Sequence, residues 1–510
     1  MLNTANICIT ISILVYLIAM VAIGAACSKK NKTTDDFYLG GRKLGPLVTA
    51  MSAEASDMSS WLLMGLPGVA YLTGVADAGW TAVGLALGTY LNWLIVARRI
   101  RLYTHKLNAI TIPEFFSKRF GDEKRLLTGI SAVVILIFFI PYTASGFAAC
   151  GKLFNSLFGV NYLGAMVISG IVIVAYTTMG GFLAASTTDF IQSIVMTVAL
   201  LIVLLFGVNA AGGLDVVMDN ARALPGYLSM ALSHSRAENA AVPYSLITII
   251  STSAWGLGYF GMPHILLRFM AIEDERKLGL SRRVATVWVV ISMAVAIFIG
   301  IVGYGVTVAG GIGFLEGSAS ETIIVRLSGL LSTFGIPAAL LAGVVLAGIL
   351  ASTMSTADSQ LLAAASSVSQ NLLDECFHVK MSEGKKVAAA RMTVLGIALI
   401  SMILARDPNS SVFGIVSFAW AGFGAAFGPV VLSALFWKRG TWQGALAGMI
   451  SGGTMVFVWK YLVRPLGGAW NIYELLPAFL TACVFIVIVS LATPAPGHEI
   501  TDDFDAVKAL

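Results

Sequence analysis

Residues 50–68 read AMSAEASDMSSWLLMGLPG, a stretch that combines two carboxylates with several serines and helix-breaking residues in an otherwise apolar segment. A charged side chain at the centre of a bilayer helix costs about 2.5–3.5 kcal/mol on insertion scales, so Glu54 and Asp57 must face protein, water or an ion. Backbone at membrane depth leaves the helix only where it lines a cavity. The stretch therefore predicts a broken helix that binds a ligand. The alternative is an unbroken helix whose serines bond their own backbone.

The composition is that of an integral membrane protein. Of 510 residues, 57% are hydrophobic and 12% are charged, against roughly 25% charged in an average soluble domain. The five cysteines are scattered without metal-binding or disulfide spacing. No Walker loop, HExxH motif or nucleophile elbow is present. We therefore expect neither an enzyme nor an organic cofactor, and no nucleic acid or obligatory protein partner.

Thirteen apolar segments are long enough to cross a bilayer. They are residues 7–27, 47–71, 78–97, 126–150, 160–179, 188–208, 244–270, 284–308, 336–372, 392–405, 412–437, 442–460 and 474–492. With an external N-terminus, 25 of the 32 lysines and arginines fall on the inner side, chiefly in loops 28–44, 98–125 and 268–283. This bias predicts a protein of the cytoplasmic membrane with its N-terminus outside and its C-terminus in the cytoplasm.

The sequence also makes predictions for the loops and the C-terminal tail. Residues 112–116 form an amphipathic piece expected at the membrane interface. Loops 211–243 and 310–335 are long enough to hold a short helix, and the tail from Pro494 is expected to be a solvated end. The spacing of Gly84 and Gly88 predicts a close helix contact.

A second interrupted segment, residues 251–264, holds three glycines and a proline that a regular membrane helix would not tolerate unaided. Two interrupted spans, each opening a block of five helices, indicate an inverted repeat with its site near the bilayer midplane. We expect a single all-α transporter domain, 1–510. Its parts are the first helix and loop 1–44, the first repeat 45–210, the second repeat 244–437, and two further helices with a tail 438–510.

The ninth segment carries a stripe of hydroxyl groups on one helical face, with Asp358 at its edge. The stripe consists of Ser352, Ser355, Thr356 and Ser359. Neutral oxygens beside unwound carbonyls suit sodium, whereas proton relays favour chains of Asp, Glu and His. Hydroxyls that only hold helices together are the alternative. Asp189 begins the sixth segment, as a helix-start acid or as part of a second cation site.

Several long strings carry a family resemblance. They are FYLGGR at 37–42, ASDMSSWLLMGLPG at 55–68, GGFL at 180–183, WGLGYFGMPHIL at 255–266, MST at 354–356 and FAWAGFGAAFGP at 418–429. Over nearly its whole length the chain resembles the solute:sodium symporter family, and within it the bacterial members that transport proline. The resemblance implies thirteen helices, a leucine-transporter-type repeat on helices two to eleven, and sodium-coupled import of L-proline. The alternatives are another small solute, such as sialic acid, or a transporter-like membrane sensor.

The resemblance also implies roles for individual residues. For sodium it implies the carbonyls of Ala55, Met58 and Ser352 and the hydroxyls of Ser355 and Thr356. For coupling it implies Arg42, Asp57 and Ser59. For the substrate it implies Tyr142, Trp255, Tyr259 and Pro263. A second sodium would use Asp189, Ser355 and Ser359, with Asp358 beside them. Glu54 and Asp358 depart from the family pattern, and a single obligatory sodium is expected.

Overall fold

The computed structural model describes residues 3–28, 34–379 and 382–509, most of which are helical. Lys29, Lys30, Lys32 and Lys380, which the charge bias predicts on the inner side, lie outside the described residues. The α-helices of the described residues are α1 Thr4–Ser28, α2 Thr34–Leu39, α3 Pro46–Asp57, α4 Leu66–Thr73, α5 Val75–Leu91, α6 Ala97–Lys106, α7 Ile112–Phe120, α8 Leu126–Phe158, α9 Tyr162–Ala210, α10 Leu214–Arg222, α11 Leu246–Ser253, α12 Pro263–Ala271, α13 Leu278–Val308, α14 Ile323–Leu331, α15 Ile336–Ser366, α16 Glu383–Leu404, α17 Val412–Phe436, α18 Trp442–Val458, α19 Leu475–Ala492 and α20 His498–Ala509.

Shorter helical turns and one hairpin complete these elements. Wider π-type turns cover Trp61–Gly65, Asn92–Val96, Ser367–Cys376 and Trp459–Val463. Tighter 3₁₀ turns cover Gly40–Arg42, Ala254–Gly261, Glu275–Lys277, Gly317–Thr322, Ser332–Phe334, Arg464–Leu466 and Gly468–Trp470. The strands β1 Leu232–Ser235 and β2 Ala240–Pro243 pair antiparallel, with Leu232 opposite Pro243.

Ten helical spans among the described residues are long and apolar enough to cross a membrane. They are Thr4–Ala26, Val75–Lys106, Leu126–Phe158, Gly181–Ala210, Glu275–Val308, Ile336–Cys376, Gly384–Leu404, Val412–Phe436, Trp442–Leu466 and Leu475–Ala492. Three shorter apolar helices, Trp61–Thr73, Tyr162–Ala175 and Leu246–Gly261, overlap three further predicted segments. The chain is therefore a multi-pass helical membrane protein, and the count of thirteen spans stays a prediction.

The first predicted break is confirmed. Helix α3 ends at Asp57, Met58 leaves helical geometry at φ −72° and ψ 66°, and the chain resumes helical winding at Trp61. The amide of Ser59 bonds the carbonyl of Asp57 at 2.7 Å, so the helical ladder stops here. The interruption leaves backbone carbonyls at the C-terminal end of α3 available to other partners, and this end carries the negative pole of the helix dipole.

The second interruption is also confirmed, and close packing explains its glycines. Helix α11 gives way to the tight turn Ala254–Gly261, Met262 is extended, and α12 begins at Pro263. The turn packs directly on α5, because a Cβ atom on Gly84 or Gly88 would lie 2.2–2.3 Å from carbonyl oxygens of residues 253–256. The contact predicted from the spacing of Gly84 and Gly88 is therefore real.

One peripheral prediction is wrong. The tail from Pro494 is not a free solvated end, because α20 buries Phe504 and Val507 and pairs Asp503 with Lys106 of α6 at 3.1 Å. The amphipathic piece at 112–116 belongs to α7, where Arg119 is buried and donates to the carbonyl of Ala434 at 2.7 Å. Arg119 therefore serves helix packing, and the place of residues 112–116 at the membrane interface stays a prediction. The two long loops hold α10 and α14, as their length suggested.

Candidate functional site

The break in α3 faces the hydroxyl stripe of α15. The hydroxyl of Ser355 donates to the carbonyl oxygen of Ala55 at 2.8 Å, and Ser355 is fully buried. This carbonyl lies four residues before Ser59, whose amide has turned to Asp57 instead. The hydroxyls of Ser355 and Thr356 each lie 3.2 Å from the carbonyl oxygen of Ser352. Neutral oxygens from two helices therefore meet at one buried point.

Asp57 lies at the centre of a second set of contacts at the break. Its Oδ2 accepts a 2.5 Å hydrogen bond from the hydroxyl of Tyr259. Its carbonyl oxygen accepts from the indole of Trp61 at 3.0 Å and from the hydroxyl of Tyr142 at 3.4 Å. Asp57 is 0% exposed, and its Oδ1 has no hydrogen-bond partner among the described residues. An unpaired buried carboxylate oxygen is costly, so this atom is suited to a cation.

The other predicted substrate residues, Trp255 and Pro263, lie on the second interrupted segment. Pro263 opens α12, just after the tight turn that carries Trp255 and Tyr259. The ring of Trp255 stacks on Tyr473 with centroids 5.2 Å apart, and its centroid lies 6.3 Å from that of Trp61. Trp255 also lines a cavity of about 320 Å³. Trp255 is therefore a neighbour both of this cavity and of the tryptophan that bonds the backbone of Asp57.

Asp189, Ser359 and Asp358, which the resemblance places at or beside a second cation site, lie together with a buried arginine. Arg268 is 1% exposed; its Nη2 lies 3.2 Å from Oδ2 of Asp189 and 2.5 Å from the hydroxyl of Ser359. Ser359 in turn donates to Oδ1 of Asp358 at 3.1 Å. Asp189 also accepts from Ser52 at 2.7 Å. A built-in cation therefore already faces these carboxylates.

The charge bias places Arg268 in the inner loop 268–283, and the structure corrects that prediction. It lies in the last turn of α12, where the guanidinium turns inward to Asp189 across 79 residues of sequence. One signal could have found it: HILLRFM continues the apolar pattern on both sides of the arginine. A lone arginine within an apolar helix needs a buried acidic partner.

Arg42 and Ser59 have different surroundings from each other. Arg42 donates to the carbonyl oxygens of Met270 at 2.9 Å and of Ala109 at 2.6 Å, joining the ends of two helices. Leu44, two residues after Arg42, forms an isolated parallel β-bridge with Ile272. The hydroxyl of Ser59 lies 3.5 Å from the amide of Trp61, within the break itself. Arg42 therefore belongs to a cluster at the helix ends, while Ser59 belongs to the break around Asp57.

Glu54 is held beside this site by two donors. Its Oε1 accepts from the indole of Trp93 at 2.8 Å and from the hydroxyl of Thr89 at 3.0 Å. Its Oε2 has no partner among the described residues. Nowhere in the described part of the chain do three His, Cys, Asp or Glu side chains cluster as metal ligands would. The oxygens that meet around the hydroxyl of Ser355 are those of carbonyls.

Comparisons with known proteins agree with this architecture. Two solved transporters share the fold: a Na⁺-coupled sialic acid symporter in a substrate-bound outward-open state, and a nucleobase-cation-symport-1 family transporter in a closed conformation. The first has a TM-score of 0.77 at 17% identity and covers 96% of this chain and 99% of its own. The second has a TM-score of 0.55 at 14% identity, with 92% of this chain and 98% of its own covered. At these identities the likeness concerns the fold alone.

Sequence relatives are much nearer. The high-affinity proline transporter PutP of Bacillus subtilis is 41% identical over 95% of this chain and 98% of its own length. The sodium/proline symporter of Haemophilus influenzae is 41% identical, with 98% and 97% covered, and that of Escherichia coli is 40% identical, with 97% and 95% covered. The model of the Sodium:solute symporter family matches residues 37–452. The chain belongs to the sodium:solute symporter family.

Proposed function

We propose that the chain imports L-proline together with sodium across the cytoplasmic membrane by alternating access. Relatives named as sodium/proline symporters match it at about 40% identity over nearly the full length, which supports the solute. The observation that carries the sodium part is the 2.8 Å approach of the Ser355 hydroxyl to the Ala55 carbonyl at a buried helix break. Carbonyls freed by a broken helix are the usual sodium ligands of transporters with interrupted helices.

The sodium site comprises the carbonyls of Ala55, Met58 and Ser352 and the hydroxyls of Ser355 and Thr356. The carbonyl ligands from the break lie at the negative end of α3, which favours a cation. Sodium bound here would hold the broken end of α3 against α15. Asp57 is buried one residue before Met58. Its carboxylate adds negative charge beside the site but is not one of the proposed neutral ligands.

Coupling between ion and solute runs through Asp57. Tyr259, on the second interrupted helix, bonds the Asp57 carboxylate at 2.5 Å, so the position of that helix depends on the first break. The proposed proline site uses Tyr142, Trp255, Tyr259 and Pro263, with the aromatic faces accepting the ring and its cationic nitrogen. Ser59 shapes the break, and Arg42 holds the adjoining helix ends.

One sodium per proline is the proposed stoichiometry. Arg268 already supplies the positive charge beside Asp189 and Ser359, where a second sodium would bind. One sodium moving through about 100 mV releases roughly 2.3 kcal/mol, and a tenfold gradient adds about 1.4 kcal/mol. Together these sustain on the order of 500-fold accumulation of the solute.

The architecture proposed for this cycle is a pair of inverted repeats, 45–210 and 244–437, within thirteen membrane helices. Each repeat opens with one of the two interrupted segments, which supports the assignment. The N-terminus lies outside and the C-terminus in the cytoplasm, as the cation bias favours. Helices α18 and α19 and the docked tail complete the domain after the second repeat.

A binding screen tests the solute. Purified protein is titrated with a panel of amino acids and sugars, with and without sodium, and ligand binding is measured by isothermal titration calorimetry. We expect L-proline to bind in sodium and sialic acid to fail. Sodium-dependent binding of sialic acid in place of proline would replace the solute but keep the sodium mechanism. Proline binding without any accumulation in vesicles would instead favour a membrane sensor.

A further inference from the structure

One turn of helix at the end of α5 contacts both interrupted segments. It comprises Thr89, Asn92 and Trp93, and here it is called the bridging turn. Its last two residues open the wider π-type turn Asn92–Val96, a rare form of helix that occurs frequently at functional sites. We propose that the bridging turn is a positioning element for transport. It aligns the first break with the second, so that sodium bound at one raises the affinity for solute at the other.

Glu54 joins the bridging turn to the first interrupted segment. Its Oε1 accepts from the indole of Trp93 at 2.8 Å and from the hydroxyl of Thr89 at 3.0 Å. Its backbone carbonyl accepts from the amide of Met58 at 2.7 Å, which closes the last turn of α3. The side chain that the bridging turn holds therefore belongs to the residue that bonds Met58, a proposed sodium ligand. The point at which α3 ends is thereby fixed against α5.

Asn92 joins the bridging turn to the second interrupted segment. Its Nδ2 donates to the carbonyl oxygen of Tyr259 at 3.0 Å. This is the one hydrogen bond of the Asn92 side chain among the described residues, and its Oδ1 has no partner there. The ring of Trp93 also packs edge-on against Phe269 of α12, with centroids 4.5 Å apart. The bridging turn therefore contacts the tight turn Ala254–Gly261 and the helix that follows it.

These contacts close into a loop. The loop runs from Asp57 to Tyr259, through the Tyr259 backbone to Asn92 and its neighbour Trp93, then to Glu54 and back along one turn of α3. Every member is at most 2% exposed, so water does not replace a bond that is lost. An unpaired buried polar group is costly. A shift of one break alone incurs this cost, and the two breaks are therefore expected to move together.

Glu54 and Asn92 act in this loop through other residues, because neither side chain is a proposed ligand of sodium or proline. Their role rests on the proposed function, since Asp57 and Tyr259 belong to its coupling path. A residue that only stabilised the fold would alter thermal unfolding without changing how strongly sodium raises the affinity for proline. That increase in affinity is therefore the quantity to measure.

The experiment is equilibrium binding of labelled L-proline to the purified full chain, without sodium and at saturating sodium. The ratio of the two dissociation constants is the coupling factor, which by linkage is also the factor by which proline raises sodium affinity. We expect Trp93→Phe, which deletes the indole donor and keeps an aromatic ring, to lower this factor at least fivefold. Asn92→Ala and Glu54→Ala should do the same. Glu54→Gln should stay within twofold of the wild type, because it keeps an acceptor oxygen.

A double variant tests the loop itself. Tyr259→Phe opens the loop at Asp57, so the addition of Trp93→Phe should lower the coupling factor no further. Two independent stabilising contacts would instead give losses that multiply.

Matched controls come from an indole and an amide outside the loop. The indole of Trp288 donates to the hydroxyl of Thr197 at 2.8 Å, and the amide of Asn155 donates to the carbonyl oxygen of Val160 at 2.8 Å. Trp288→Phe and Asn155→Ala remove the same donors and should keep the wild-type coupling factor.

The outcomes separate this inference from the proposed function. Wild-type coupling in Trp93→Phe, Asn92→Ala or Glu54→Ala overturns the inference and leaves the proposed function intact. Equal losses in Glu54→Gln and Glu54→Ala, or losses that multiply with that of Tyr259→Phe, do so as well. A coupling factor of one in the wild type refutes the proposed function and the inference with it. Trp93→Phe decides alone if thermal unfolding shows that the alanine variants are not folded.

Discussion

Tyr259 donates a 2.5 Å hydrogen bond to the carboxylate of Asp57, and this bond joins the two interrupted helices of the protein. Both residues are completely buried. Asp57 ends α3 immediately before the proposed sodium ligand Met58, and Tyr259 lies in the turn before α12. In the proposed mechanism, this bond transmits a change at the sodium site to the second interrupted helix, which carries proposed solute residues.

Removing this bond should affect both substrates. Tyr259→Phe deletes the donor to Asp57, so we expect the half-saturating concentrations of sodium and of proline to rise together, by about tenfold. Uptake by proteoliposomes measured at varied sodium and varied proline gives both values. Trp255→Ala is the comparison, because its ring belongs to the proposed solute site and supplies no proposed sodium ligand, and it should weaken proline binding more than sodium binding. Equal losses in Trp255→Ala would contradict this division.

The proposed sodium site predicts a selective loss along α15. Ser355→Ala and Thr356→Ala each delete an oxygen ligand, so the sodium concentration for half-maximal uptake should rise about tenfold. Asp57→Asn should raise it further, because a buried charge is lost as well. The control is Ser366→Ala, on the same helix, whose hydroxyl bonds only the carbonyl of Ala363 at 2.8 Å. Wild-type sodium dependence in the first two variants would refute the site.

Both breaks could be predicted from sequence because glycine, proline and carboxylate residues are unfavourable in a regular helix that faces lipid. Each of these residues can be recognised within a short stretch of sequence. Ser355 and Thr356 could be predicted as a stripe because helical spacing is regular. The contact between Ser355 and Ala55 could not, since it joins residues 300 positions apart. Arg268 could not be predicted as a buried residue for the same reason. In the sequence it resembles a loop cation, and only the fold brings it beside Asp189.

The docked tail and α7 show a second limit of sequence reasoning. Acidic residues such as Asp503 and Asp505 are typical of a solvated end, but they meet Lys106 and Lys438 once the helices are packed. The buried face of α20 consists of only Phe504 and Val507, and α7 buries Arg119 among its apolar residues. Their burial depends on neighbours that periodicity alone does not identify.

A buried ion pair makes a prediction for stability. Lys152 and Glu321 are 2.7 Å apart with side chains about 5–6% exposed, and Glu321 also accepts from the amides of Val412 and Phe413 at the start of α17. Glu321→Met leaves a buried lysine unpaired, which should cost about 3 kcal/mol of unfolding free energy. The double variant Lys152→Met with Glu321→Met should lose less than the sum of the losses of the two single variants. Thermal unfolding in detergent measures it, and additive losses would contradict a pair.

The charge moved per proline tests the number of ions. Because Arg268 occupies the surroundings of Asp189 and Ser359, we expect about one charge per proline, which carries no net charge. Vesicles clamped at known potentials give this ratio from the potential at which net flux stops. Asp189→Asn should leave the ratio unchanged even if it lowers the rate. A ratio near two that falls to one in Asp189→Asn would assign a second sodium there.

The most direct test of sodium-coupled proline import is the accumulation of labelled L-proline in proteoliposomes that contain only this protein. With an inward sodium gradient we expect the internal proline concentration to rise transiently above the external one. Equal sodium on both sides at zero potential should abolish this rise, and a proton gradient should not replace the sodium gradient. Accumulation driven by protons without sodium, or equilibration without accumulation under a sodium gradient, would contradict the account.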